Sequence, residues 1–157
     1  MVQLFRKVLC PIDFSDQSLA VLKLALKVTQ QNDAKLYLLN VAPMPAGAAG
    51  FQPVPMDAYP FHDEDRKEEL AEFARERIPD AVRYETLVIS GDPAARVLET
   101  ARGLAADLIV IGTYGHRGLS RLILGSVAER VVRESPVPVL TVHATAPVRR
   151  TFISGPR

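Results

Sequence analysis

Short apolar runs alternate along this chain with longer segments in which apolar residues recur every three or four positions. The runs cover residues 8–12, 36–41, 86–89, 108–111 and 137–142. Such alternation is typical of a parallel sheet whose strands are joined by helices. Because the runs are almost wholly apolar, both faces of the sheet should be covered. The sequence therefore predicts an α/β fold, a three-layer sandwich with a five-stranded parallel sheet.

The length of the chain indicates one domain. Its 157 residues, 48% of them hydrophobic, are enough for one packed core and too few for two ordinary domains. We expect the folded domain to span residues 1–143 and residues 144–157 to form a flexible tail. Residues 43–60, rich in proline, alanine and glycine, should form a long loop after the second strand.

The charges and the single cysteine limit the partners and the compartment. Lysine and arginine total 19 against 18 acidic residues, so no overall positive field favours nucleic acid or an anionic membrane. Neither a secretory signal nor an apolar run long enough for a bilayer is evident. Cys10 lies in an apolar run and should be a buried hydrophobe. We expect a cytoplasmic protein without membrane or nucleic-acid partners.

Four helices are expected between the strands. The first should be capped by Ser15 and run through Gln30, with three leucines facing the sheet. These are Leu19, Leu22 and Leu26. The second should span residues 63–77 and bury one face. That face carries Leu70, Phe73 and Ala74.

The third and fourth predicted helices have clear start signals. Asp92 should cap the third, with Pro93 at its first position, where the missing N–H has no cost. Its buried stripe is Ala94, Val97, Leu98 and Ala101. The fourth should begin at Ser126 and end before Pro136.

Candidate site residues follow the first and fourth strands. In an open parallel sheet, ligands bind beyond the carboxyl ends of the strands, where the strand order reverses. Asp13 follows the first run, and the fourth leads into a segment containing Gly112 and Gly115. Glycines let backbone N–H groups point at one anion, and the helix start at Ser126 also favours negative charge. These features together predict a phosphate-binding nest.

Structural interpretations of the same residues remain open at this point. Ser126 begins the pattern Ser-Val-Ala-Glu, which matches a capping box. Gly112 could be a simple turn, and Asp13 could be a surface carboxylate or a residue that starts a helix. The sequence contains no Walker loop, no dinucleotide fingerprint after the first strand and no H-E-x-x-H zinc motif. The commonest kinds of nucleotide-binding and zinc-binding site are therefore excluded.

The spacing of the glycines, with its flanks, resembles a known family. The pattern Gly112-x2-Gly115-x9-Gly125-Ser126 is followed by Val-Ala-Glu-Arg-Val-Val and then Pro-Val-Pro-Val-Leu, and residues 11–15 read Pro-Ile-Asp-Phe-Ser. This set resembles the ATP-binding branch of the universal stress proteins from about Phe5 to His143. The resemblance implies a flavodoxin-like sheet of order 3-2-1-4-5, with the nucleotide over the first and fourth strands.

The resemblance also implies roles for individual residues. Asp13, with its neighbours, would touch the ribose or adenine end, the Val41 backbone would read the adenine edge, and the glycine segments would hold the phosphates. The implied nucleotide-binding residues are Pro11, Ile12, Asp13, Val41, Gly112, Thr113, Gly115, His116, Gly125, Ser126 and Val127. The implied ligand is ATP, or ADP or AMP, with Mg²⁺ or Mn²⁺ bridging the phosphates. No protein ligand to a metal is predicted.

The sequence favours binding over catalysis. No general base aimed at a γ-phosphate is evident, so we expect a nucleotide-responsive regulatory protein with at most slow ATP hydrolysis. The resemblance implies a homodimer through the last run, from Val137 to Val142, an apolar edge strand that tolerates Pro136 and Pro138. Two alternatives are a nucleotide-free dimeric scaffold of the same fold and an adenine-nucleotide α-hydrolase. The second lacks the serine- and glycine-rich motif expected after the first strand.

Overall fold

The computed structural model describes residues 3–42, 63–113 and 124–143. Within these ranges, strands and helices alternate from the first strand to the last. In chain order they are β1 (Lys7–Ile12), α1 (Gln17–Gln31), β2 (Lys35–Ala42), α2 (Asp63–Arg77), β3 (Tyr84–Ser90), α3 (Pro93–Leu104), β4 (Leu108–Gly112), α4 (Ser126–Glu134) and β5 (Val139–Val142). The predicted loop at 43–60 and tail at 144–157 lie outside the described residues.

The strands form a single parallel sheet in the order β3-β2-β1-β4-β5. This confirms the predicted α/β fold and the implied strand order. The chain moves outward from β1 through β2 to β3, and then crosses over to β4 on the other side of β1. The direction of winding therefore reverses between β1 and β4, and a crevice is expected at the carboxyl ends of these two strands.

Apolar side chains cover both faces of the sheet. On one face α1 and α2 pack against a cluster that includes Val8, Cys10, Leu38 and Val110. On the other face, a second cluster joins the sheet to α3 and α4. The fully buried thiol of Cys10 confirms the expectation of a small buried hydrophobe.

The start of α1 differs from the prediction. The helix begins at Gln17 with Asp16 at the cap position, and Ser15 contributes its carbonyl oxygen, which accepts a hydrogen bond from the Ser18 N–H at 2.9 Å. The predicted Ser15 cap was therefore wrong. Leu19 is 44% exposed and does not face the sheet, so its predicted place in the buried stripe was also wrong. The buried residues are Ser18, Val21, Leu22, Ala25 and Thr29, and Leu26 is partly buried beside them.

Strand β5 is shorter than predicted because it begins at Val139 instead of Val137. Pro136 and Pro138 lack the N–H groups that a ladder requires. The Ser135 hydroxyl instead donates to the Val137 carbonyl at 2.7 Å and holds this segment in a turn. The Pro138 carbonyl still accepts from the Ile109 N–H at 3.0 Å, so the segment stays beside β4.

Helices α2 and α3 match their predictions closely. Leu70 and Ala74 of α2 are fully buried, with Phe73 packed beside them. Asp92 caps α3 by accepting the Ala95 N–H at 2.9 Å, with proline at the first turn. The four residues predicted to form the stripe of α3 are the ones that are buried.

Candidate functional site

The candidate site lies at the carboxyl ends of β1 and β4, which are adjacent in the sheet. Val8 pairs with Leu108, and Leu9 with Ile109. Asp13 follows the end of β1 and Thr113 follows the end of β4. The fold thus places the segments that contain Asp13 and Gly112 side by side, as the sequence predicted.

A backbone hydrogen bond brings the start of α4 to the end of β4. The Gly125 N–H donates to the Thr113 carbonyl at 2.7 Å, although the two residues are far apart in the sequence. Thr113 is itself held by β5, because its N–H donates to the Val142 carbonyl at 3.0 Å. Gly112, Thr113 and Gly125 therefore converge at the carboxyl end of the parallel strands, which we call the carboxyl edge of the sheet. Gly115 and His116, which were predicted to join them, lie outside the described residues.

The beginning of α4 excludes the capping-box interpretation of Ser126. Gly125 occupies the cap position in an extended conformation, and its carbonyl accepts the Glu129 N–H at 2.8 Å. Ser126 is the first helical residue and is exposed, while Val127 is half-buried. The first N–H groups of any α-helix lack partners within the helix and carry positive potential. Such a helix start favours an anion.

Asp13 contributes to the start of α1. Its Oδ1 accepts the Ser15 N–H at 3.0 Å and the Ser18 hydroxyl at 3.2 Å. Asp13 therefore stabilises the turn that leads into α1, which agrees with its interpretation as a helix-entry residue. The side chain is half-buried at the carboxyl edge of the sheet, so this contact also fixes a carboxylate beside the end of β4.

The remaining predicted residues lie along the same edge. Pro11 is half-buried, and Ile12 is 6% exposed. Val41 comes one residue after Asn40, which is the register partner of Ile12, and packs against the cluster of α3 and α4. The Thr113 hydroxyl donates to the Val142 carbonyl at 3.3 Å, so its side chain contacts β5.

Two polar groups near the carboxyl ends of the strands were missed by the sequence analysis. Asn40 is buried and bonded to both β1 and α2. Arg130 of α4 donates to the Asp92 carboxylate at 2.7 Å and connects the middle of α4 to the start of α3. One feature of the sequence indicated a special role for Asn40, namely that it is a polar residue inside the apolar run 36–41. The Arg130 contact depends on the packing of two helices and had no local signal.

The described residues include one buried thiol but no cluster of metal ligands and no helix that could span a membrane. Burial raises the pKa of Cys10 from 9.0 to about 12, so the thiol stays protonated at neutral pH. Within residues 3–42, 63–113 and 124–143, no three His, Cys, Asp or Glu side chains converge to hold a metal ion. None of the helices in these ranges is both long and apolar enough to cross a membrane.

Comparison with known proteins identifies the family. Residues 4–143 match the model of the universal stress protein family. The chain is 36% identical over 144 residues to the universal stress protein MJ0531 of Methanocaldococcus jannaschii, covering 88% of this chain and 82% of the relative. It is 33% identical over 151 residues to the universal stress protein YxiE of Bacillus subtilis, covering 89% and 100%.

A solved structure supports the same assignment. A universal stress protein crystallised in complex with cAMP superimposes with a TM-score of 0.67 at 26% identity, covering 90% of this chain and 99% of that one. Sequence, strand order and tertiary structure thus agree. The chain belongs to the universal stress protein family.

Proposed function

We propose that this chain is a nucleotide-responsive regulatory protein that binds an adenine nucleotide, ATP or its products ADP and AMP, at the carboxyl edge of β1 and β4. The observation that carries the proposal is the bond between the Gly125 N–H and the Thr113 carbonyl. It fixes the start of α4 next to the end of β4, beside the Asp13 segment. The cAMP complex of a relative that is 26% identical supports an adenine nucleotide as the ligand class.

The phosphates would lie at the start of α4. Gly125 has no side chain to obstruct the approach of an anion, and the exposed Ser126 adds a hydroxyl next to the first N–H groups of the helix. Gly112 and the half-buried Val127 would complete this wall, with Gly115 and His116 as further proposed contacts. The helix dipole and the backbone donors supply the attraction that the near-neutral chain does not supply globally.

The nucleoside would lie toward β1 and β2. Asp13 supplies a fixed carboxylate that can accept a hydrogen bond from a ribose hydroxyl. Pro11 and Ile12 give an apolar flank, and the backbone of Val41, at the end of β2, is the proposed contact for the adenine edge. Mg²⁺ or Mn²⁺ would arrive with the phosphates, since the described side chains offer no ligand cluster of their own.

Binding without rapid turnover is the activity that these residues support. The Asp13 carboxylate is committed to the start of α1 and lies on the proposed nucleoside side, away from the γ-phosphate. Phosphoryl transfer needs a positioned water or base in addition to a phosphate cradle. We therefore propose at most slow ATP hydrolysis, with the nucleotide shifting the population of conformations that a partner recognises.

A homodimer through β5 is part of the proposal. The strand lies at the edge of the sheet, and Leu140 is 36% exposed on it, with Val132 of the adjacent α4 45% exposed. An apolar edge with unpaired backbone groups favours pairing with another chain. The same edge would also serve the second candidate function, a nucleotide-free dimeric scaffold.

Substitution of Ser126 tests the phosphate site, and the melting temperature of the variant shows whether it still folds. Ser126→Asp places a negative charge at the start of α4, where the dipole favours it for folding and where it would repel phosphates. We expect the melting temperature to be maintained or raised, while the Kd for ATP with Mg²⁺, measured by calorimetry, rises by about tenfold or more.

Ser126→Asn is the matched control, since it is similar in size to aspartate without the charge, and it should change the Kd much less. Equal ATP affinity in the wild type, Ser126→Asp and Ser126→Asn would place the phosphates elsewhere. No measurable binding of ATP, ADP or AMP by the wild type would favour the scaffold function.

A further inference from the structure

Asn40 is a polar side chain in an otherwise apolar stretch of β2. It is 2% exposed, and its sequence neighbours Leu38 and Leu39 are fully buried. A buried amide without hydrogen bonds costs free energy, so its presence requires partners. Both ends of this amide have one: Nδ2 donates to the Ile12 carbonyl at 3.0 Å, and Oδ1 accepts from Nη1 of Arg66 at 3.0 Å.

Arg66 determines which way the amide faces. A guanidinium group can only donate hydrogen bonds, so the atom that meets it must be the Asn40 oxygen. The Asn40 nitrogen is then directed at the Ile12 carbonyl, the last residue of β1. A chain of contacts thus runs from α2 through β2 to the end of β1, which is one residue before Asp13.

Helix α2 contacts the same turn at a second point. Phe14, the residue after Asp13, has a φ of 60°, a left-handed conformation that is unfavourable for a bulky side chain. Its ring packs edge-to-face on Phe73 of α2, with centroids 5.8 Å apart. Residues on both sides of Asp13 are therefore held from α2, and the surrounding contacts maintain an unfavourable backbone conformation.

We propose that Asn40, oriented by Arg66, is a positioning residue of the nucleotide site. By binding the Ile12 carbonyl it sets the direction in which the chain leaves β1, and so the place of the Asp13 carboxylate. Asn40 itself contacts no ligand in this role. The inference rests on the proposed function for its consequence in nucleotide binding, whereas its effect on the Asp13 turn can be measured without any nucleotide.

The first test measures amide hydrogen exchange in the nucleotide-free protein. Asn40→Leu keeps the side chain of similar size and removes both hydrogen bonds. Exchange at residues 13–15 should accelerate by about tenfold or more, while the amides of β5 are unaffected. The matched control is Asn32→Leu. Asn32 lies at the opposite end of the sheet, where its Oδ1 accepts the Leu4 N–H at 3.1 Å, and its loss should leave residues 13–15 unchanged.

The second test measures the Kd for ATP with Mg²⁺ by calorimetry. Asn40→Leu should weaken binding by about tenfold, the effect of losing the proposed hydrogen bond between the ribose and Asp13, and Asn32→Leu by less than about twofold.

A double-mutant cycle tests whether Asn40 acts through Asp13. If it does, adding Asn40→Leu to Asp13→Asn should weaken ATP binding little further. A purely structural role of Asn40 would make the losses in binding free energy of the two substitutions additive. Arg66→Met, which leaves the Asn40 amide unoriented, should give a smaller loss in the same direction and serves if Asn40→Leu does not fold.

The two tests separate the two claims. Unchanged exchange at residues 13–15 in Asn40→Leu and Arg66→Met overturns the positioning role, whatever the binding result. Additive losses in the cycle with Asp13→Asn also overturn it. A wild-type protein that binds no adenine nucleotide, with exchange accelerated in Asn40→Leu, refutes the proposed function and leaves the control of the Asp13 turn by Asn40 intact.

Discussion

Gly91 connects β3 to α3 in a conformation that other residues rarely adopt. Its φ is +144°, and its N–H donates to the Ala42 carbonyl at 2.9 Å, at the carboxyl edge of the sheet. A Cβ added at this position would lie 2.5 Å from Nε of Arg96. Gly91→Ala therefore imposes two penalties, one on the backbone and one on a neighbouring side chain.

The backbone penalty should be the larger one. A side chain in this region of φ costs about 1–3 kcal/mol. The Arg96 side chain can move away, but it then gives up the bond that its Nε–H donates to the Ser90 carbonyl at 3.0 Å. That bond is exposed and contributes about 0.5 kcal/mol. The expected total is a loss of about 1.5–3.5 kcal/mol in the free energy of unfolding.

Urea unfolding followed by circular dichroism measures this loss. Gly103 provides the matched control, because it lies in α3 with nothing within 4 Å of its added Cβ. Gly103→Ala should stabilise the protein by about 0.5–1 kcal/mol through helix propensity. Adding Arg96→Ala to Gly91→Ala should recover less than half of the loss. A Gly91→Ala protein within about 0.5 kcal/mol of the wild type would show that neither penalty exists at this position.

Three further sets of substitutions test separate features of the fold. Asp92→Ala should cost about 1–1.5 kcal/mol, whereas Asp92→Asn keeps the cap and loses only the exposed ion pair with Arg130, about 0.5 kcal/mol or less; equal losses in urea unfolding would contradict this. Leu22→Ala should cost about 2–5 kcal/mol and Leu19→Ala less than about 0.5 kcal/mol; similar values would contradict the observed face of α1. Because folding raises the pKa of Cys10 from 9.0 to about 12, only the unfolded chain loses this proton between those values. The stability of the wild type relative to Cys10→Ala should be constant below pH 8 and fall by about 1.4 kcal/mol per unit above pH 9; a difference independent of pH would show that the thiol does not titrate this way.

The strands and α3 could be predicted because their signals are local. Strands buried on both faces have nearly continuous apolar runs, and the start of α3 is encoded in two consecutive residues, Asp92 and Pro93. The convergence of Gly112 and Gly125 followed from a general rule of parallel sheets, that site residues follow the carboxyl ends of adjacent strands. These parts required no knowledge of long-range packing.

The start of α1 and the role of Asn40 depend on contacts that the sequence does not show locally. The turn after β1 includes the left-handed Phe14, α1 begins only at Gln17, and Leu19 lies on the exposed face of that helix. Asn40 is bonded across the β1–β2 register and to a helix that follows much later in the chain. A polar residue in a buried strand indicated that a partner exists, but only the fold identifies it.

The most direct measurement is a crystal structure of the protein grown with excess ATP and Mg²⁺. We expect phosphates at the first backbone N–H groups of α4, those of Ser126 and Val127, the ribose near Asp13 and the adenine against the end of β2 at Val41. Well-ordered crystals in which this edge of the sheet holds no nucleotide, or in which ATP binds to another surface, would contradict this expectation.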